Sequence, residues 1–110
     1  MPLSEKARLE VYLPDLPKQS YQDLLTALDQ EFTYTFGGST TIRGLSGSYL
    51  SNLGLTIRDR VNLIYTDAPF AFDEHFETLS KYADELRNAA FQALEEEAIL
   101  VAALKVYHAQ

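Results

Sequence analysis

Ala98-Ile99-Leu100-Val101-Ala102-Ala103-Leu104-Lys105-Val106-Tyr107 decides how the whole chain folds. Its alanines suit a helix. Its valines, and the alternation of Ile99 and Val101 with Leu100 and Ala102, suit a strand. Read as helix, it merely lengthens the segment before it. Read as strand, it completes a β-α-β-β-α-β order, and that is the reading taken here. Apolar residues on both faces are expected of a strand in the middle of a sheet.

Upstream, residues 73 to 96 read as a long helix. Phe72, Phe76, Leu79, Ala83, Leu86, Ala90 and Ala93 step by threes and fours on an otherwise charged segment. Asp67-Ala68-Pro69 is a turn before it. Leu55 to Thr66 is the clearest strand. Leu55, Ile57, Val61, Leu63 and Tyr65 share one face, interrupted by Asp59, while Thr56, Arg58, Arg60 and Asn62 share the other. The apolar face is expected to line the core. Ser51-Asn52-Leu53-Gly54 turns the chain back onto Ser39–Leu50, so residues 39 to 66 form one long hairpin. Gly44 and Gly47 within it are bulge signals.

At the other end, Arg8 to Leu13 alternates as a half-buried strand, closed by Pro14 and Pro17. Ser20 is placed to cap a helix carrying Leu24, Leu25, Leu28 and Phe32, which is expected to fray near Glu31 before Gly37-Gly38. The order therefore predicts an α+β sandwich of the ferredoxin-like kind. It has a four-stranded antiparallel sheet, two helices on one face, and the terminal strands in the middle. The expected core is Val11, Leu24, Leu28, Phe32, Ile57, Val61, Leu63, Phe76, Leu79, Leu86 and Ile99.

A chain of 110 residues suits a single domain spanning 1–110. It is 46% hydrophobic and has no cysteine, which excludes disulfides, thiolate catalysis and cysteine-bound metals. No apolar run approaches the roughly 20 residues of a membrane span, and no signal-peptide core follows Met1. A cytoplasmic protein with no membrane partner is expected. The net charge of −7 falls between residues 67 and 97, as a solvated acidic helix face. An acidic chain repels a phosphate backbone, so nucleic acid is not an expected partner.

Chemistry concentrates in the hairpin. From residue 32 to 57 the only charged side chain is Arg43. A long uncharged hairpin needs cover, so self-association through residues 39–66 is expected. Gly37 and Gly38 leave backbone N–H groups uncrowded, and Thr40, Thr41, Ser46, Ser48 and Tyr49 add hydroxyls. Arg58 and Arg60, two apart on one strand, could join Arg43 in a three-arginine anion patch. The candidate ligand residues are thus Gly37, Gly38, Thr40, Arg43, Tyr49, Arg58 and Arg60. The expected ligand is a small anion near Arg43 and the Gly37-Gly38 turn, with no cofactor. Neither His75 nor His108 has a partner at metal-ligand spacing, and His108 is expected to be solvent-exposed.

Gly37-Gly38-Ser39-Thr40, Arg43-Gly44 and Gly47-x-Tyr49 followed by a long strand resemble a pattern in PII-like signalling proteins and their divalent-cation-tolerance relatives. A set of small bacterial domains with a Gly-Gly-x-Thr…Gly-x-aromatic hairpin is similar too. In PII-like families the resemblance implies trimers with ligands in clefts between subunits. The chain departs from them in lacking their long regulatory loop and lysine-rich nucleotide contacts. A non-catalytic binding or regulatory module is the favoured reading. The alternatives are a cofactor-free enzyme for a small anionic or phenolic substrate, using Arg43 or Arg60 with His75 or Tyr49, and a purely structural subunit.

Overall fold

A computed structural model describes residues 2–94 and 99–109. The element order is β1 (Leu3–Pro14), α1 (Gln19–Phe36), β2 (Thr40–Leu50), β3 (Thr56–Ala68), α2 (Phe76–Leu94) and β4 (Leu100–Ala109). The segment that decided the fold is a strand. All pairings are antiparallel, in the order β2-β3-β1-β4.

That order corrects the expectation for the terminal strands. β1 is central, but β4 lies at an edge, with β3 as the second central strand. Apolar residues on both faces of β4 therefore do not reflect neighbours on both sides. One face, Val101 and Ala103, lies towards α2. The other, Leu100, Ala102, Leu104 and Val106, belongs to a face without a helix.

Both helices cover the face formed by Leu9, Val11 and Leu13 of β1 and Ile64 of β3, where Leu25, Leu28, Phe32, Leu86, Ala90 and Ile99 complete the core. Register places Asn62, Ile64, Thr66 and Ala68 of β3 on that side. The expected core face of β3 is thus the wrong one. Ile57 and Val61 are half-buried on the opposite face, and Leu63 is buried there with no helix above it. The polar residues that take the inward positions are satisfied. The Thr66 hydroxyl donates to the Gly38 carbonyl at 2.7 Å, and Asn62 is bonded on both sides of its amide.

The helices also differ at their ends. Lys18, not Ser20, occupies the N-cap position of α1, with no side-chain cap bond. The helix runs past Glu31 to Phe36 and stops at Gly37, whose φ of 94° only glycine adopts cheaply. α2 begins at Phe76 rather than Asp73. Phe76 is 57% exposed at its first turn and so falls outside the core. The expected end of that helix, Glu95 and Glu96, lies outside the described residues.

β1 pairs with β3 only as far as Pro14 opposite Val61. Beyond that point β2 and β3 continue alone to Leu50 and Thr56, as a two-stranded arm. No described helix is long and apolar enough to cross a membrane.

Candidate functional site

Three parts of the molecule concern the candidate residues: the start of β2, the bulge in β2, and the arm. At the first, Gly37 ends α1 and donates its N–H to the Thr33 carbonyl at 2.9 Å. Gly38 is held by Thr66, and Thr40 opens β2 opposite Tyr65. β3 runs on past the start of β2. A depression of about 300 Å3 results, lined by Phe36 to Thr40 and Tyr65 to Asp67.

Asp67 in that depression is committed. Arg8 donates to both its oxygens, at 2.7 and 2.9 Å, and the His108 ring nitrogen lies 2.7 Å away. The Arg8 guanidinium also sits 4.2 Å from the Tyr65 ring centroid. His108 is therefore half-buried and partnered rather than free in solvent. Arg8 first, and His108 to a lesser degree, hold the Asp67 carboxyl below its ordinary range against the opposing effect of burial. The sign follows. A carboxyl depressed in the folded state stabilises it above the unfolded pKa of about 3.9, and that contribution is lost as pH falls through the lower folded value. Asp67→Asn should cost about 1–3 kcal/mol at neutral pH, because it leaves Arg8 without its charge partner. The difference from the unmodified chain should close below about pH 4. Urea titrations at a series of pH values would check this, and a difference independent of pH would contradict it.

The second part is the bulge. Ile42 pairs with Leu63 and Leu45 with Val61, so Arg43 and Gly44 together oppose Asn62. Gly44 has φ 73°, the left-handed residue such a bulge requires. Its N–H donates to Asn62 Oδ1 at 3.0 Å, and Asn62 Nδ2 donates to Asp15 Oδ1 at 3.1 Å. A Cβ at Gly44 would lie 2.8 Å from Arg60 Nη2, so the bare backbone also gives that guanidinium its place. Arg43 reaches Gln22 in the first turn of α1, at 3.5 Å.

On the arm, cross-strand pairing sets Ser46 beside Arg60 and Ser48 beside Arg58. All four lie on one face and line a groove of about 220 Å3. Arg60 has Asp15 as a distant partner at 3.9 Å, while Arg58 makes no ion pair among the described residues. Tyr49 points to the opposite face, paired with Ile57.

The candidate residues thus divide. Gly37, Gly38 and Thr40 line the depression, Arg58 and Arg60 line the arm groove, Arg43 joins neither, and Tyr49 lies on the helix-free face. Arg43 reaches Gln22 and does not line the groove of Arg58 and Arg60. Sequence reasoning missed Arg8, Asp67 and His108, whose only signal was a polar residue at matching strand parity. His75 stacks on Phe70, with ring centroids 5.1 Å apart, and its Nδ1 lies 3.0 Å from the Ala71 carbonyl. No metal-ligating cluster occurs among the described residues.

A further surface is the helix-free face of the sheet. Ile42, Leu45 and Tyr49 of β2, Ile57, Val61, Leu63 and Tyr65 of β3, Tyr12 of β1, and Leu100, Ala102, Leu104 and Val106 of β4 all lie on it. Ile42, Tyr49 and Leu100 are 41%, 55% and 58% exposed. The apolar residues form two bands, one on β2 and β3 and one on β4, and between them β1 sets Lys6, Arg8 and Glu10 beside Tyr12 on the same face.

No family model and no curated protein matches the chain. Solved structures do. CutA1 from Oryza sativa superposes with a TM-score of 0.61 at 15% identity, covering 98% of this chain and 85% of that one. The divalent cation tolerance protein CutA1 from Thermus thermophilus gives 0.56 at 15% identity, covering 91% and 82%. CPII, a nitrogen regulatory PII-like protein from Thiomonas intermedia bound to ADP, AMP and bicarbonate, gives 0.51 at 19% identity, covering 99% and 100%. The chain has the ferredoxin-like fold of CutA1 and PII-like proteins.

Proposed function

We propose that this chain is the subunit of a small homo-oligomeric, non-catalytic binding module that holds a small anion on its β2–β3 arm. The helix-free apolar face carries the reading. The exposed apolar residues of this face, among them Ile42, Tyr49 and Leu100, are left in water by the single chain, and burial against further copies removes them from it. The hairpin of residues 39–66 supplies about half of that face, so the association runs through it. The network around Asp67 and His108 speaks for a binding rather than a catalytic role. Asp67 lines the depression, but Arg8 and His108 already hold its carboxylate.

The anion belongs with Arg58 and Arg60. Two guanidiniums and the Ser46 and Ser48 hydroxyls share one groove there, and they outnumber the single acid in its lining, Asp59. The depression by Gly37, Gly38 and Thr40 offers polar groups too, but Arg8 beside it is already neutralised by Asp67. ADP, AMP and bicarbonate, the ligands of the PII-like protein of the same fold, are the first probes to use, with inorganic phosphate. A charge-assisted contact contributes roughly 1.5–3 kcal/mol, and its exposed position places this one at the low end. Arg58→Ala should therefore weaken anion binding about tenfold in a calorimetric titration. Arg43→Ala should leave it unchanged. Equal losses in both variants, or none in either, would remove the anion from the groove.

A further inference from the structure

The arm groove presents one arrangement twice. Ser46 lies opposite Arg60 and Ser48 opposite Arg58, all on one face of the ribbon. Two residues of strand separate the serine–arginine pairs, a rise of about 7 Å. Gly47 and Asp59 are paired with each other between them, so Asp59 stands on the opposite face of the ribbon. Its Oδ1 accepts the Arg60 backbone N–H at 2.9 Å.

The repeat stops at two. The next row outward on this face pairs Leu50 with Thr56, which brings no cation. The next row inward holds Asn62, which is already bonded to Gly44 and Asp15, and Arg43 beside it reaches Gln22. Within the groove both guanidiniums are available. Arg58 makes no ion pair among the described residues. Arg60 is 70% exposed and meets Asp15 only at 3.9 Å, a contact that holds it weakly.

Each pair is a complete subsite for one oxyanion group, with a guanidinium fork and a hydroxyl donor. A ligand with a single such group fills one pair and leaves the other arginine in water. We infer that the groove is a two-point site for a linear dianion, with one oxyanion group on Ser46 and Arg60 and the other, about 7 Å away, on Ser48 and Arg58. This rests on the anion site proposed above and names the class of ligand that the site takes. Size agrees with a short chain. The groove's volume of about 220 Å3 lies below the roughly 300–1,000 Å3 of pockets that enclose larger ligands. The phosphates of ADP share a bridging oxygen and stand closer together than the two pairs do, so ADP engages one pair at a time.

A series of graded ligands tests this. Alkane α,ω-dicarboxylates from malonate to sebacate, and α,ω-bisphosphonates of the same spacers, would be titrated into the unmodified chain. Butyrate and methylphosphonate are the single-headed controls. Low ionic strength keeps exposed charge pairs unscreened, and backbone amide shifts of residues 46–48 and 58–60 report binding in the groove. The expected result is an optimum where the two heads stand about 7 Å apart, near adipate and pimelate or the matching bisphosphonates. Binding there should be about tenfold tighter than that of the single-headed control. The series with the tighter optimum names the head group. In Arg58→Ala and in Arg60→Ala the optimum should vanish, each dianion falling to the level of the control. Equal affinity at every spacer, with Arg58→Ala still weakening every anion, would overturn the two-point geometry and leave the anion site standing. No response at residues 46–48 and 58–60 to any member of either series would overturn the anion site with it.

Discussion

Ile42→Glu should convert the protein to monomers while leaving its fold in place. Ile42 is 41% exposed in the single chain, on edge strand β2, so a carboxylate there meets water and costs the monomer little. In an assembly the same position lies on the buried face, opposite Leu63. An unpaired charge left in such an interface costs about 3–5 kcal/mol, a loss of two to three decades or more in association constant. Leu100→Glu, at the other edge of the same face, should do the same independently. Tyr34→Glu, on an 88% exposed helix position, should not. Sedimentation velocity with far-ultraviolet circular dichroism reads both halves of the expectation. Oligomers that survive both glutamates would mean that this face is not the contact.

Phe32→Ala should bring the largest loss of stability. Phe32 is the largest fully buried side chain, in one cluster with Leu28, Val11 and Ile64. It also supports a chain of rings: Phe32 to Phe36 at 6.3 Å, and Phe36 to Tyr82 at 5.5 Å in an edge-to-face contact. Tyr82 in turn donates to Glu31 at 2.9 Å, which ties α2 to α1, and burial raises its hydroxyl pKa. Truncation of a buried phenylalanine costs about 3–5 kcal/mol, set against a total of about 5–15 kcal/mol for a small domain. The comparison belongs in the Ile42→Glu background, where association no longer adds to apparent stability. The urea midpoint should fall by roughly 2 M. A fall below about 0.5 M would show that the core collapses onto the cavity, or that it is not organised around this ring.

The element order was legible because the signals for it are local. Alternation marked β1 and β3, helical spacing marked α1 and α2, and the glycine at 44 marked the bulge. The faces were not legible. In β3 the more apolar set, Ile57, Val61 and Leu63, points away from the helices, and Asn62 and Thr66 point inward. Alternation shows that two faces differ, not which one a helix covers. A face covered by another subunit gives the same pattern as one covered by a helix. The same ambiguity misplaced β4, whose two apolar faces were read as two flanking strands.

For the site, local spacing was enough to pair Arg58 with Arg60. It failed for Arg43 because the bulge inserts a residue and breaks the strand's two-residue period. The Arg8–Asp67–His108 network joins three strands across 59 and 41 residues of sequence separation. Only the register brings those groups together.

Sedimentation velocity of the unmodified chain, from about one to about a hundred micromolar at physiological salt, tests the central claim most directly. Burial of the apolar bands of the helix-free face predicts a single closed oligomer that persists through the lower concentrations. A single chain's mass across the whole range would contradict it. The helix-free face would then be a surface in water, and the subunit contact proposed across it would not stand.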